Sequence, residues 1–267
     1  MLQLNSNNYY SAEANWEYMS NSQYKDFRTC EAMAMAKLGG WQEPPSDALL
    51  VGSYVHAYFE GAKALEEFKT ATPSIISTRG QSKGQLKSQF KEAEAMIAAL
   101  ENDPMCMFLL QGQKEVIMSA EFAGTRWKIK IDNYEPNNFR FSDIKTVQSI
   151  TKEVWDPAGG YVSFVEAQGY VTQMSLYAEV ERRRLGRDGW IEPYIIAVSK
   201  EDPPDKAVIS INAYDIQRAL DEIERYMPRI LDVKFGGAEP QRCEKCRYCR
   251  ETKTLKHIIH FSELVAR

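Results

Sequence analysis

The chain has 267 residues, of which 44% are hydrophobic and 26% charged, with 15 glycines and 11 prolines. This is globular composition, which excludes a disordered, collagen-like or low-complexity chain, and no run of about 18 residues free of charge is present to span a bilayer. The net charge of −4 excludes coating of nucleic acid by bulk charge, though not a local basic groove beside an acidic site.

Met1 to Tyr10 lack the basic start and apolar run of a signal peptide, so the expected location is cytoplasmic. Residues 11–38 read as mostly helical, with Ser22 as N-cap, an amphipathic run through Tyr24, Phe27, Ala32, Met33, Ala36 and Leu38, and a stop at Gly39-Gly40. After a loop at Pro44-Pro45, Asp47 is placed to cap a helix over 48–68 that carries Leu49, Leu50, Val55, Tyr58 and Phe59. A third helix is expected over 79–102. There Arg79, Lys83, Lys87 and Lys91, spaced by four, form a basic stripe, either a solvated face or a track for a phosphate backbone.

From residue 114 the period changes to that of strands: 115–122, 127–134 and 139–145, with turns at Gly124-Thr125 and Pro136-Asn137-Asn138. A long helix over 161–186, short strands over 193–199 and 207–212, and a helix over 213–234 follow. Helices flank a central group of strands, so the expected fold class is α/β or α+β. The expected organisation is one domain over 1–267: a helical region (1–110), a sheet and core (111–212), and a last helix with a cysteine-rich segment (213–267).

The chemistry concentrates in two places. Asp132 ends one strand, and Asp143 and Lys145 lie near the end of the next. Residues 143 and 145 share a face because strand side chains alternate. If the strands pair through the intervening turn, two carboxylates and a lysine converge. Carboxylate oxygens suit Mg²⁺, and the lysine can orient or deprotonate a water. Asp-x-Lys alone also fits a solvated strand end. The second place is Cys243, Cys246 and Cys249, a C-x₂-C-x₂-C triplet, with Cys30 far upstream as the better fourth ligand; Cys106, in an apolar run, reads as a small buried hydrophobe. The metal is an iron–sulfur cluster or, alternatively, zinc, for which His257 and His260 are rival ligands. Arg242, Lys245, Arg247, Arg250, Lys253 and Lys256 surround the triplet and form a candidate contact for a nucleic-acid strand. Arg182, Arg183, Arg184 and Arg187 read as a solvated helix end or a DNA contact, and Glu121 as a surface acid near Asp132.

The ordered set Gly52-x-x-x-His56, Asp132, Asp143-Ile144-Lys145 and Gln173-x-x-x-Tyr177, with the Ser20-to-Phe27 segment that leads to Cys30, resembles the RecB-like branch of the PD-(D/E)XK nucleases, and within it the RecE-like exonucleases of phages. The resemblance covers roughly Ser20 to Lys253. It implies an α/β fold with a restriction-endonuclease-like core, a central mixed sheet flanked by helices, and Mg²⁺- or Mn²⁺-dependent hydrolysis of DNA as an exonuclease, in phage recombination or DNA repair. It implies His56, Asp132, Asp143 and the carbonyl of Ile144 as metal ligands, Lys145 as the catalytic lysine, and Gln173 and Tyr177 as supports of the site and the substrate phosphate. It also implies a [4Fe–4S] cluster on Cys30, Cys243, Cys246 and Cys249 that staples the two ends of the domain, a homo-oligomer, and a single-strand annealing recombinase as partner. Two features depart from the family pattern: Ile131-Asp132 stands where a Pro-Asp pair is usual, and the gap before the last cysteine is short.

Overall fold

The computed structural model describes residues 2–44, 46–156, 159–255 and 257–264. Its Cα packing divides the chain into two compact units, residues 1–21 with 44–228, and residues 22–43 with 229–267.

The larger unit is built on a five-stranded sheet: β1 (Gln113–Phe122), β2 (Thr125–Glu135), β3 (Arg140–Val147), β6 (Glu192–Ser199) and β7 (Lys206–Ser210), in spatial order β1-β2-β3-β6-β7. β3 and β6 run parallel and the other neighbours antiparallel, so the sheet is mixed, as expected. A small hairpin, β4 (Val154–Asp156) with β5 (Gly160–Val162), lies in the chain between β3 and the crossover helices α8 (Phe164–Ala167) and α9 (Tyr170–Leu185).

Strand alternation explains the layering. Ile144, Ile196 and Val198 turn to one face of the sheet, where they pack with Val51, Tyr54 and Val55 of α4 (Asp47–Glu60) and Phe90, Ala93, Met96 and Leu100 of α6 (Ser88–Glu101). Each of these fully buried side chains contributes about 1.5–3 kcal/mol of apolar burial. Asp143 and Lys145, one residue out of phase with Ile144, turn to the α9 side. The β2–β3 ladder holds only Asn133–Ser142, Tyr134–Phe141 and Glu135–Arg140. Nearer its start, β2 takes Met19 as a partner on the edge that β3 leaves free, with Met19 N–H donating to the Arg126 carbonyl (2.7 Å) and Lys128 N–H to that of Met19 (2.8 Å). The two strands therefore diverge just beyond Asn133–Ser142, at the rung that would bring Asp132 opposite Asp143.

Several helix boundaries differ from the sequence expectation. The segment 11–38 is three helices, α1 (Ala12–Glu17), α2 (Asn21–Thr29) and α3 (Glu31–Leu38), and Ser22 lies inside α2 rather than before it. Ser46, not Asp47, caps α4 by accepting from Leu49 N–H, and the expected 48–68 helix breaks at Gly61 into α4 and α5 (Ala62–Ala71). The basic stripe does not form. Gly80 and Gly84 take left-handed φ values of 68° and 82°, which end any helix there, so of the four cations only Lys91 lies on α6. The short helix α7 (Pro104–Leu109) has its signal in Asp103-Pro104, an N-cap followed by proline at the first turn, and Cys106 on it is buried as expected. The β1–β2 turn is Ala123-Gly124, one residue earlier than expected, both with positive φ as a two-residue hairpin turn requires.

In the smaller unit, Cys30, Ala32, Met33 and Cys249 form a buried cluster with Trp41, Cys243, Cys246 and Tyr248 packed against it. Glu31 pairs bidentately with Arg229 at 2.9 and 2.7 Å and also accepts from the Gln241 N–H. That guanidinium holds the Glu31 carboxyl below its usual range. The helix α10 (Ala213–Lys234) matches its expected span despite Pro228, and the unit boundary falls after that proline. Among the described residues no helix is long and apolar enough to cross a membrane.

Candidate active site and cysteine cluster

The site is assembled by close packing of α4 on β3. A Cβ on Gly52 would lie 3.3 Å from Thr146 Oγ1, so the absence of a side chain at 52 lets the helix sit close to the strand. His56 follows one turn later on the same face. Its Nδ1 lies 2.9 Å from Asp132 Oδ2. One nitrogen of His56 and one oxygen each of Asp132 and Asp143 lie within 4.8 Å of one another. In a strand, the N–H and C=O of one residue point to the same side. The Ile144 N–H is directed at Asp132, so the Ile144 carbonyl opens toward the same gap.

From the other layer, Gln173 of α9 joins Asp143 to Lys145. Its Nε2 donates to Asp143 Oδ2 (2.9 Å), and its Oε1 accepts from Lys145 Nζ (3.0 Å). Only this orientation of the amide satisfies both an anion and a cation. Lys145 Nζ also lies 2.5 Å from Asp143 Oδ1. Tyr177 stacks on Phe141 with centroids 6.4 Å apart, and its hydroxyl is coupled to Gln173.

Charge and burial compete throughout the site. Burial opposes the His56 cation, yet the Asp132 carboxylate in contact raises its pKa to about 9. Burial likewise works against the Asp132 anion, but His56, Lys145 and the Ile144 N–H outweigh it and hold that carboxyl below its usual value. For Asp143, burial and then the like charge of Asp132 prevail over Lys145 and raise it. Burial opposes the Lys145 cation, while Asp143 and Asp132 hold it protonated. Asp132 Oδ2 and Asp143 Oδ1 are shielded from solvent but accept no well-aligned hydrogen bond, although a cation stands close to each. Two hard carboxylate oxygens and an imidazole, which would give up its extra proton to a metal, form a donor set that fits a divalent cation.

In the smaller unit, Cys30, Cys243, Cys246 and Cys249 bring four Sγ atoms within 4.8 Å of one another. Cys30 and Cys249 sulfurs are 3.6 Å apart. Backbone N–H groups turn inward: Cys243 to Cys30 Sγ, Lys245 and Cys246 to Cys243 Sγ, and Cys249 to Cys246 Sγ, at 3.2–3.5 Å. Burial resists ionisation of Cys243, but these amides overcome it and bring its pKa down to about 6. Cys246 is pushed up to about 12 by burial first, with neighbouring thiols adding to it. The inward amides thus favour a thiolate at Cys243, while burial and the neighbouring sulfurs raise Cys30 and Cys246. Neither His257 nor His260 joins the four sulfurs, and His260 Nδ1 instead meets Ser262 Oγ at 2.9 Å.

Residues 20–252 match a family described as a PDDEXK-like domain of unknown function. The chain belongs to that PDDEXK-like family. The crystal structure of a protein from Eubacterium rectale described as a "Putative exonuclease" is 43% identical, covering 100% of this chain and 99% of its own, with a TM-score of 0.93. A second solved structure, SSO0001, is 13% identical over 85% of this chain and 91% of its own, with a TM-score of 0.32. The search of curated proteins returned no match.

Two site features of this PDDEXK-like chain were not anticipated. The Tyr170 ring, on the first turn of α9, faces the Lys145 ammonium at 4.6 Å from its centroid; its spacing of three from Gln173 is the only signal. The other is the packing role of Gly52. The arginines around both sites are largely committed to internal pairs. Arg182 and Arg183 bind the buried Glu179, and Arg187 binds the buried Glu181, where a solvated helix end or a DNA contact was expected. Arg242 pairs with Glu244 and donates to the Cys249 carbonyl, and Arg247 pairs with Glu251. Lys245 and Arg250 are exposed, and Lys256 lies outside the described residues. Glu121 is 82% exposed beside Arg126, a surface position.

Proposed function

We propose that this PDDEXK-like protein is a Mg²⁺- or Mn²⁺-dependent deoxyribonuclease that degrades linear DNA from its ends. The observation that carries the reading is the convergence of His56, Asp132 and Asp143, with the shielded oxygens Asp132 Oδ2 and Asp143 Oδ1 short of well-aligned hydrogen bonds. These three residues and the Ile144 carbonyl would hold the metal. A divalent ion there supplies Lewis-acid stabilisation of phosphate charge and acidifies a bound water. Lys145 has three N–H donors. Gln173 accepts one of them and Asp143 Oδ1 lies against the ammonium as an ion pair, so Nζ keeps donor capacity for a water or a phosphate oxygen. Because Asp143 holds it protonated, Lys145 acts as a positioning and charge-stabilising donor rather than a base. Gln173 fixes the relative orientation of Lys145 and Asp143, and Tyr177 supports Gln173 from behind.

Exonuclease action is supported by the description of the Eubacterium rectale relative. A role in phage recombination or repair, with an annealing recombinase as partner, is supported by the sequence resemblance alone. For the four cysteines we propose a metal centre, an iron–sulfur cluster or zinc, on the strength of the amide-lined set of four sulfurs. The test of the main reading is incubation of purified protein with linear and closed-circular duplex DNA, with Mg²⁺ or EDTA. Mg²⁺-dependent loss of the linear form with circles spared is expected, abolished by Asp143→Asn and Lys145→Ala. Persistence of both DNA forms under every divalent metal would sink the reading.

A further inference from the structure

Trp155 and Tyr161 face each other across the β4–β5 hairpin, with centroids 5.3 Å apart at 71°, and remain 63% and 68% exposed. A lone two-stranded ribbon is marginally stable, and an edge-to-face ring pair supports it by about 0.5–1.5 kcal/mol. A β-branched pair also favours a strand pairing, as Val154 and Val162 show on the adjoining rung, without holding two large rings in water. The hairpin's place in the chain gives those rings a use. It begins seven residues after Val147, the end of the strand that carries Lys145, and leads directly into α8. There the Phe164 ring lies 6.4 Å from that of Tyr170, which in turn lies 4.6 Å from Lys145 Nζ. Two ring contacts thus connect the exit of the hairpin to the lysine of the site.

Charge indicates the occupant. Beside the hairpin, Asp156, Val162 and Glu166 share a cleft with Arg218, Asp221, Glu222 and Arg225, and Lys152 is followed by Glu153, so both signs are mixed and acids outnumber bases, which is no continuous track for a phosphate backbone. What the hairpin offers is ring faces, and every nucleobase has a π-face to stack on them. Resting on the nuclease reading above, we propose that Trp155 and Tyr161 form a stacking platform for unpaired bases at the end of a DNA strand entering the site.

The test uses the full-length protein and a duplex oligonucleotide whose single-stranded overhang carries 2-aminopurine. In EDTA, binding should quench the 2-aminopurine. In Mg²⁺, Trp155→Thr with Tyr161→Thr should raise KM for the overhang substrate about tenfold, leave kcat unchanged, and abolish the quenching. Base stacking on aromatic side chains is worth about 1–3 kcal/mol per base, so a tenfold effect lies within range. Trp155→Phe with Tyr161→Phe should restore both readouts. If the threonine pair alters the circular dichroism, Tyr161→Leu alone replaces it. Unchanged quenching and KM in the threonine variant would overturn the proposal, as would a kcat loss equal on blunt and overhang ends, which marks a structural hairpin. Absence of quenching in the wild type would overturn it too and assign the rings to a protein contact. A wild type that cleaves no DNA refutes the nuclease reading separately, because the quenching arm needs no turnover.

Discussion

Gln173 is the most informative residue to perturb, because its amide meets an anion at one end and a cation at the other. Gln173→Glu keeps the acceptor for Lys145 and replaces the donor to Asp143 with a charged oxygen. A unit charge 2.9 Å from Asp143 carries a raw repulsion of about 6 kcal/mol at an effective dielectric of about 20. Lys145, already 3.0 Å from the retained oxygen, offsets much of it. If about 2 kcal/mol survives, the Asp143 carboxyl holds a proton roughly 30-fold more tightly, and that proton competes with a metal ion for the oxygen. Burial and Asp132 have already raised this carboxyl, so the rise extends an existing strain. A carboxyl with a higher pKa ionises at higher pH. Activity that needs the Asp143 carboxylate therefore appears later on the pH axis. The assay is the initial rate of acid-soluble nucleotide release from linear duplex, across Mg²⁺ concentration and a pH series from mildly acidic to mildly alkaline. Gln173→Glu should need more Mg²⁺ and show an alkaline-shifted profile. Gln173→Met loses two charge-assisted hydrogen bonds, about 1.5–3 kcal/mol each, and should slow turnover with a smaller alkaline shift, because it removes a donor from Asp143 without adding a charge. If the two variants share one Mg²⁺ requirement and one pH profile, the bridging role assigned to Gln173 is wrong.

Gly52→Val should push α4 off Thr146 and displace His56, lowering the cleavage rate tenfold or more, since about 1 Å of misplacement can cost 10²-fold; Thr146→Ala in the same chain should recover some of the loss, and kinetics of the double variant check it. Cys249→Ser should strip metal from the smaller unit and lower its resistance to proteolysis. Metal analysis and an absorption band near 400 nm (about the position that distinguishes a cluster from colourless zinc) decide the identity. Lys128 is buried with its ammonium on the Tyr9 carbonyl and Asn15 Oδ1, and burial brings its pKa down to about 8. The unfolded chain keeps that proton to about 10.4, so between the two values the unfolded state binds more protons and stability rises with pH. This contribution, about 3 kcal/mol in full, should be absent from Lys128→Met in thermal melts between pH 8 and 10 (roughly that window).

What could be read from the sequence follows from which contacts are local. Asp143 and Lys145 were legible because two residues on one strand share a face whatever the rest of the chain does. Asp132 needed one further assumption, that the flanking strands pair, and the Asn133–Ser142 rung supplies it. His56, Gln173 and Tyr177 were legible only through the resemblance to a family, because nothing local ties a helix at 56 or at 173 to a strand at 143. The helix boundaries failed where apolar periodicity ran on across a break. Leu65 and Phe68 continue the apolar pattern of Val55, Tyr58 and Phe59, and all pack on one core, so hydrophobic spacing carried no mark of the turn at Gly61.

The same distinction explains Tyr170 and Gly52. The contact of Tyr170 with Lys145 depends on the rotation of α9 about its axis. That rotation is set by the buried Met174, Leu176, Ala178 and Val180 rather than by Tyr170 itself. Gly52 reads as a weak helix residue when the helix is considered alone, costing about 1 kcal/mol against alanine. Its function becomes visible only with Thr146 placed 3.3 Å from where a Cβ would stand. A local penalty in α4 thus brings the helix close enough for His56 to reach Asp132. A sequence expectation that scores Gly52 by propensity alone would count as a defect the feature that brings the imidazole to the carboxylates.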